Sequence, residues 1–236
     1  MNIWSYWEGP KPQWILDCQE SLVRHGGDYV KILNWEDFDK LWEYERSLPI
    51  TSLYVAQKAD FIRSYLLRYL GGMWIDADCL IMRNLTPIIK SCEFWDFIFY
   101  RQKDGAFSNA FIGAKKESKT AKHFYDGVVW QLNQGKELGW TDLGQSKLWE
   151  AVHNANSNCL QLATELISPY DWSEGAVFLS NGDCEENKIK EHPRSLAYMI
   201  SNHSVGGARD EIISAFNEPN SLFSYLVQKS VDNKFT

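Results

Sequence analysis

Asp76 and Asp78 are the residues of this chain whose types and spacing point most directly to chemistry. The two carboxylates lie one residue apart after an apolar run, and on an extended segment alternate side chains share one face. Like charges this close are unfavourable unless a cation lies between them, and Mg²⁺ and Mn²⁺ take oxygen ligands while keeping waters or phosphate oxygens. The pair predicts a metal site for a phosphate-bearing substrate, with a solvated turn as the alternative.

Asp60 and Arg63 form a second chemically suggestive pair, three residues apart in a segment with helical spacing of its apolar residues. From Arg63 the helix runs roughly 10 Å to its end, and the following strand returns about as far before reaching Asp76. All four side chains should therefore lie at about the same height. Arg63 could then meet phosphate or sugar oxygens and Asp60 sugar hydroxyls; the alternative is an idle surface ion pair.

The elements that must position these residues alternate between strands and helices in the first half of the chain, which favours an α/β fold with a nucleotide-binding parallel sheet. Strands are predicted at 2–6, 29–33, 73–75, 79–82, 97–100, 110–113, 161–167, 176–179 and 196–200. Helices are predicted at 12–24, 35–45, 53–70, 119–133, 142–153 and 210–229. The chain length of 236 residues favours one domain.

The runs 58–63 and 66–78 resemble the signature of DXD glycosyltransferases with the GT-A fold, in the branch of capsular polysaccharide synthesis proteins and related mannosyltransferases. The opening run 2–12, the second strand and the run 107–114 are also similar to that branch. The resemblance implies a single GT-A type domain at 1–236, with a Rossmann-like, mostly parallel sheet flanked by helices. Within it, 1–115 would be the nucleotide-sugar-binding half, and 116–236 the acceptor-side half with a C-terminal helix.

The family resemblance also implies a reaction, the transfer of a hexose or deoxyhexose from a UDP-sugar to a glycan acceptor with Mn²⁺ or Mg²⁺ and retention of configuration. The residues that would bind the nucleotide-sugar are Ile3, Trp4, Trp7, Asp60, Arg63, Asp76 and Asn109. Trp7, or else Trp4, would stack on the uracil, and Asn109 would lie near the transferred sugar. Asp60, Arg63, Asp76 and Asp78 would be the catalytic set.

The metal in this scheme would be bound directly by Asp78, with Asp76 reaching the ribose or the metal through water, and His203 would be the third protein ligand. A lone histidine is more often structural than a ligand, and the run 204–207 departs from the family's pattern. Gly144-Gln145 replaces the Gly-Pro that relatives often show, so the acceptor side is not carried over.

Composition fits these expectations and excludes several others. The net charge of −7 and the absence of a Lys/Arg cluster argue against binding to nucleic acid. No apolar run is long enough to span a membrane and no signal peptide is expected, whereas peripheral membrane contact and oligomeric state stay open. Five scattered cysteines favour a reducing, cytoplasmic location, the host cytoplasm if the chain is viral.

Two other functions compete with a glycosyltransferase. An aspartate-nucleophile, metal-dependent phosphohydrolase also has an Asp-x-Asp pair after an apolar strand, although it leaves Asp60, Arg63 and Trp7 without roles. A non-catalytic carbohydrate-binding module would account for the eleven tryptophans but not for the paired carboxylates. The donor sugar, which could be glucose, galactose, mannose or rhamnose, and the acceptor stay undetermined.

Overall fold

A computed structural model describes residues 1–202 and 210–233 of the chain. The predicted metal ligand His203 lies outside these described residues. The strands are β1 (Ile3–Tyr6), β2 (Val30–Leu33), β3 (Gly72–Ile75), β4 (Cys79–Ile81), β5 (Phe97–Arg101), β6 (Phe107–Ala114), β7 (Cys159–Leu162) and β8 (Ala197–Met199). The α-helices are α1 (Gln13–Gly26), α2 (Trp35–Asp39), α3 (Val55–Tyr69), α4 (Thr86–Ser91), α5 (Lys119–Asn133), α6 (Gln145–Asn154), α7 (Thr164–Ile167), α8 (Cys184–Lys190), α9 (Asp210–Phe216) and α10 (Leu222–Asp232).

The larger sheet has six strands in the order β2-β1-β3-β6-β5-β7. β1 pairs in parallel with β3, β6 pairs antiparallel with both β3 and β5, and β5 pairs in parallel with β7. It follows that β1, β3, β5 and β7 run in one direction and β6 runs against them. The prediction of an α/β fold with a mostly parallel sheet flanked by helices is confirmed.

The chain divides into two compact units that interleave along the sequence. The first unit comprises 1–8, 31–75 and 87–162, and the second comprises 9–30, 76–86 and 163–236. In the first unit a continuous aromatic and aliphatic core includes Trp4, Phe61, Trp74 and Phe124. We predicted instead a single domain with a nucleotide-sugar-binding half at 1–115 and an acceptor-side half at 116–236. That division differs from the two units and stays a prediction.

The turn between α3 and β3 depends on two glycines with positive φ, Gly71 at 66° and Gly72 at 103°. A Cβ at Gly72 would lie 2.2 Å from the backbone oxygen of Asn2, because β1 and β3 pair closely at this point. The indole Nε1 of Trp4 donates a 2.8 Å hydrogen bond to the Gly71 oxygen. The position where α3 gives way to β3 is thereby fixed, as the Gly-Gly pair predicts.

The second unit places α1 beside the small antiparallel sheet of β4 and β8. The Ser21 hydroxyl on α1 accepts a hydrogen bond from the backbone N–H of Ile81, and the Ser230 hydroxyl on α10 donates one to the Ile81 oxygen. Trp14 stacks on Phe216 with ring centroids 4.6 Å apart. Serine hydroxyls on α1 and α10 therefore fix the backbone of β4 at Ile81.

Several predicted elements are wrong in the second half of the chain. The run 176–179 is not a strand but the end of a 3₁₀ helix, Trp172–Leu179, which begins with a capping box between Asp171 and Glu174. The predicted strand 161–167 ends at Leu162, and α7 follows it. The predicted helix 210–229 is broken around Pro219, since proline lacks the N–H that a helix interior needs.

The helix predicted at 35–45 is also wrong in length, because α2 ends at Asp39. The Arg46 side chain folds back and donates hydrogen bonds to the backbone oxygens of Asp39 and Trp42, at 3.3 and 3.2 Å. These carbonyls are satisfied by a side chain, so the helix does not need to continue.

Candidate functional site

Asp60, Arg63 and Asn109 form a hydrogen-bonded cluster in the first unit, called here the Asp60 cluster. The Asn109 amide on β6 donates to Asp60 Oδ1 at 2.7 Å, and an Arg63 guanidinium nitrogen donates to the Asn109 backbone oxygen at 2.6 Å. Another Arg63 nitrogen lies 3.4 Å from Asp60 Oδ1. Asn109, which follows Arg63 by 46 positions and Asp60 by 49, is thus brought into contact with one positive and one negative side chain.

The Asp60 cluster is not the idle surface ion pair that the sequence left as an alternative. Asp60 is 7% exposed and Arg63 is 5% exposed, and the guanidinium carbon of Arg63 lies 4.9 Å from the centre of the Trp74 ring. Stacking on an indole and hydrogen bonding hold the guanidinium in one orientation. A buried ion pair is by itself weak evidence for stabilisation, because the cost of desolvating both charges offsets their attraction.

Gly144, just before α6, meets the Asp60 cluster through its backbone. A Cβ at this position would lie 2.2 Å from Asn109 Nδ2 and 2.8 and 2.9 Å from the two carboxylate oxygens of Asp60. A side chain at this position would therefore displace the Asn109 amide or the Asp60 carboxylate. The sequence drew attention to Gly144 only as a departure from relatives, and nothing in the local pattern predicts this contact.

Asp76 and Asp78 lie on a turn between β3 and β4, which corrects the prediction that both belong to an extended segment. The N–H of Cys79 donates to the Asp76 backbone oxygen at 3.1 Å, closing the turn, and both carboxylates are half-buried. The backbone N–H of Asn202 donates to Asp78 Oδ2 at 2.7 Å. A turn brings two carboxylates to the end of a strand without the alternation of side chains that a strand imposes.

The donor atoms of this turn fit a hard divalent cation, since two carboxylates are ligands that Mg²⁺ and Mn²⁺ accept alongside waters and phosphate oxygens. Among residues 1–202 and 210–233, no group of three or more His, Cys, Asp or Glu side chains is arranged to hold a metal ion. The protein donors described here are accordingly the two carboxylates, and the assignment of His203 stays a prediction.

The residues predicted to bind the nucleotide differ in accessibility. Ile3 on β1 is fully buried and pairs with Met73, and Trp4 is only 4% exposed. Trp7, just after β1, is half-buried, and its backbone N–H donates to the Leu33 oxygen at 3.0 Å. Of the two tryptophans, Trp7 alone has substantial exposed surface.

A polar network beside Trp7 was missed by the sequence reasoning. The Lys58 ammonium lies 3.1 Å from both carboxylate oxygens of Glu8, and Tyr6 donates a 2.8 Å hydrogen bond to the same carboxylate. Burial, together with this bond to the charged Glu8, raises the pKa of Tyr6. Lys58 also lies over the ring of Trp35. The sequence offered one signal of this network. Lys58 lies two residues before Asp60, within the run 58–63 that resembles the glycosyltransferase signature.

The structure thus unites three of the predicted site residues in the Asp60 cluster and places Asp76 and Asp78 on one turn. The cluster belongs to the first unit and the turn to the second, so the predicted common height of Asp60, Arg63, Asp76 and Asp78 stays a prediction. All five cysteines are free thiols. In the described part of the chain, no helix is both long and apolar enough to cross a membrane.

Three solved glycosyltransferase structures share this fold. The glycosyltransferase GlyE of Streptococcus pneumoniae TIGR4 matches with a TM-score of 0.53 and 13% identity, over 98% of this chain and 63% of that one. Its apo form matches with a TM-score of 0.53 and 14% identity over the same shares. The bifunctional glycosyltransferase WbbM matches with a TM-score of 0.50 and 8% identity, over 97% of this chain and 51% of that one.

The chain therefore has the fold of a glycosyltransferase, and it spans about half to two thirds of the length of these three structures. The sequence profile of the capsular polysaccharide synthesis protein family matches residues 2–137, and the chain belongs to this family. No curated protein sequence matches it significantly. The predicted family, fold and enzyme class are confirmed, and neither comparison favours a phosphohydrolase.

Proposed function

We propose that this protein is a metal-dependent glycosyltransferase that moves a hexose or deoxyhexose from a UDP-sugar to a glycan acceptor, with retention of configuration. Membership of the capsular polysaccharide synthesis family and the glycosyltransferase fold support the general activity. The observation that most directly supports the substrate is the buried Asp60 cluster, which combines a fixed cation with oxygen acceptors and an amide. Retention is carried over from the family resemblance.

In this proposal Arg63 stabilises the diphosphate as it acquires negative charge on leaving the sugar. A guanidinium already oriented by Asn109 and Trp74 needs little reorganisation when that charge develops. Asp60 accepts hydrogen bonds from the donor sugar's hydroxyls, and the Asn109 amide lies beside the transferred sugar. Oxygen atoms near the anomeric carbon also favour its oxocarbenium-like character.

The metal ion of this proposal would be held by Asp78 directly and by Asp76 directly or through water. When bound, a divalent cation neutralises the charge on the diphosphate leaving group. Asn202 donates its backbone N–H to Asp78, and this residue immediately precedes His203 in the chain. Its position supports His203 as the third protein ligand.

The uracil of the donor would stack on Trp7. Trp4 is buried and its indole N–H is already bonded to Gly71, which supports Trp7 over Trp4. Ile3 would then contribute through its backbone on β1. The neighbouring Lys58 and Glu8 pair supplies a donor and acceptors next to the base.

The remaining parts of the proposal concern partners and location. The acceptor would be bound by the half comprising 116–236. No role for nucleic acid is included, given the net charge of −7. A cytoplasmic location is supported by the five free thiols, because disulfides are rare in reducing compartments.

A thermal-shift panel of UDP-sugars with and without Mn²⁺ tests this proposal. The true donor should raise the melting temperature only when Mn²⁺ is present, since a ligand that binds the folded state stabilises it by mass action. Asp78→Asn should abolish this metal-dependent shift and the transfer reaction. Asp126→Asn removes an exposed carboxylate paired with Lys122 on α5 and is the matched control. Unchanged turnover of Asp78→Asn at saturating Mn²⁺ contradicts the assignment.

A further inference from the structure

A groove of about 280 Å³ lies between α6 and the beginning of β6, within the first unit. It is lined by Ala106, Phe107, Gln145, Ser146, Trp149 and Glu150. This volume is close to the lower end of the range for small-molecule sites, roughly 300 Å³. The groove, called here the α6 groove, combines aromatic, amide, hydroxyl and carboxylate groups, and none of its residues has a role in the proposed donor chemistry.

Trp149 gives the α6 groove an exposed aromatic surface. Its side chain is 52% exposed although it is one of the largest apolar residues. His153 supports it from one side, with ring centroids 4.4 Å apart, and a ring nitrogen of His153 is 2.7 Å from the Trp149 backbone oxygen. An indole braced in this way presents a flat surface suited to stacking against the C–H face of a sugar ring.

The polar groups of the groove are also held in place. Both Glu150 carboxylate oxygens accept hydrogen bonds from the Lys147 ammonium, at 3.0 and 3.1 Å, and the Ser146 hydroxyl lies 3.4 Å from that of Thr141. A carboxylate in the wall favours a neutral ligand rich in hydroxyl groups over a phosphate. The arrangement therefore matches the chemistry of an uncharged carbohydrate.

The α6 groove lies close to the Asp60 cluster, because neighbouring residues of the chain contribute to both. Phe107 lines the groove and Asn109 belongs to the cluster, two residues further along β6 and therefore roughly 7 Å away. At the other side, Gly144 packs against Asn109 and Asp60, and the next residue, Gln145, lines the groove. The groove is therefore about one sugar ring distant from the place proposed for the transferred sugar.

We infer that the α6 groove binds a neutral pyranose ring of the acceptor, with Trp149 as the stacking surface and Gln145, Ser146 and Glu150 as hydrogen-bonding partners. The assignment of this sugar as the acceptor depends on the proposed function. The binding of carbohydrate in the groove does not depend on it, so the two can be tested separately.

The direct test is ¹⁹F NMR of protein labelled with 5-fluorotryptophan. The probes are the methyl pyranosides of glucose, galactose, mannose and rhamnose, added without nucleotide or metal. The Trp149 signal, assigned by its loss in Trp149→Phe, should shift saturably with at least one of them. Trp172 is the matched control, because it is 50% exposed and does not line the groove; its signal is assigned by its loss in Trp172→Phe.

Three outcomes decide the inference. A saturable shift at Trp149 with the Trp172 signal unmoved supports it. The absence of any shift at Trp149 with all four glycosides overturns it, as do equal shifts at both positions. If Trp149 responds but no UDP-sugar stabilises the protein, the proposed function fails and the carbohydrate site stands.

A kinetic test then connects the groove to the reaction. With the responding glycoside as acceptor, Trp149→Ala should raise the acceptor KM about tenfold relative to any change in the donor KM, because a stacked aromatic contact contributes on that scale. Trp149→Phe should recover part of the loss, and Trp172→Ala should leave the acceptor KM unchanged. Equal increases in the two KM values for Trp149→Ala would show that the groove does not act on the acceptor.

Discussion

The side-chain amide of Asn109 donates a 2.7 Å hydrogen bond to Oδ1 of Asp60, which joins the middle of β6 to the helix α3. The same carboxylate lies 3.4 Å from a guanidinium nitrogen of Arg63. Asp60 therefore has a neutral and a charged partner while remaining almost wholly buried. A carboxylate held in this way is fixed in orientation before any ligand arrives.

Asn109→Ala is expected to lower both stability and activity. The change removes a hydrogen bond to a buried carboxylate, which is worth about 1.5–3 kcal/mol, and urea unfolding should show a loss of this size. The donor KM should also rise, because Asp60 is no longer oriented. Asn133→Ala, an exposed change at the end of α5, is the control. An unchanged unfolding midpoint for Asn109→Ala would contradict the role of this bond.

Gly144→Ala should disrupt the Asp60 cluster while leaving its three side chains in the sequence. The new methyl group would overlap Asn109 Nδ2, 2.2 Å away, and relief of such overpacking typically costs about 1–3 kcal/mol. We expect transfer to fall more than stability, measured by initial rates and urea unfolding. Gly139→Ala is the matched control, since its nearest contact would be 3.3 Å from a side-chain oxygen of Asp142. Equal activity of the two variants would argue against a tight contact at Gly144.

Arg63→Lys should reduce transfer by at least about tenfold although it conserves the charge. A lysine cannot reproduce the forked geometry by which Arg63 reaches the Asn109 oxygen and stacks on Trp74. Steady-state kinetics with the donor that the thermal-shift panel identifies measures the effect. Arg68→Lys tests the same substitution on the same helix, where the guanidinium stacks on Tyr69. If both variants retain full activity, positive charge alone is sufficient at position 63.

The lowered pKa of Asp96 predicts how the free energy of unfolding depends on pH. Burial by itself raises the pKa of the Asp96 carboxyl, but hydrogen bonds from the N–H groups of Thr120 and Lys119 outweigh it and lower the pKa from 3.8 to about 2. Because the folded pKa lies below the unfolded one, the stabilisation is complete above about pH 4 and is lost as the pH falls towards 2.

Asp96→Asn should remove this pH-dependent contribution, which is about 2 kcal/mol at most. Urea unfolding of both proteins across this pH range is the measurement. The difference in free energy of unfolding between wild type and variant should be largest near neutrality and should shrink below about pH 4. Parallel pH profiles for the two proteins would show that Asp96 is not responsible.

The sequence predicted the segment from α3 to β3 well because its signals are local. The helical spacing of apolar residues in α3 ends at Gly71-Gly72, which marks the end of the helix. The short apolar run of β3 is then bounded by Asp76, so neighbouring residues are enough to recognise it. The resemblance extended this reading to the first strand and to Asn109. The family assignment followed from the same region, whereas the order of the six strands was not predicted.

The sequence did not predict contacts between residues that are far apart in the chain. It also did not predict which of two conformations a segment adopts when its composition suits both. The approach of Gly144 to Asp60 joins residues 84 positions apart, and no local pattern encodes it. The apolar run ending at Leu179 suits a strand, but the capping box that begins at Asp171 starts a 3₁₀ helix instead. The extended geometry assigned to Asp76 and Asp78 failed because alternation of side chains does not distinguish a strand from a turn that follows one.

The backbone contact at Gly144 has a consequence for how this enzyme could diverge. A Cβ at Gly144 would meet Asn109 and Asp60, so the Asp60 cluster constrains this position, whereas Trp149 on the helix α6 that follows is 52% exposed. Under the proposed function, mutations at the exposed positions of α6 would change the choice of acceptor while the proposed donor residues persist. A lineage carrying this fold could therefore diversify its products by drift in a single helical turn.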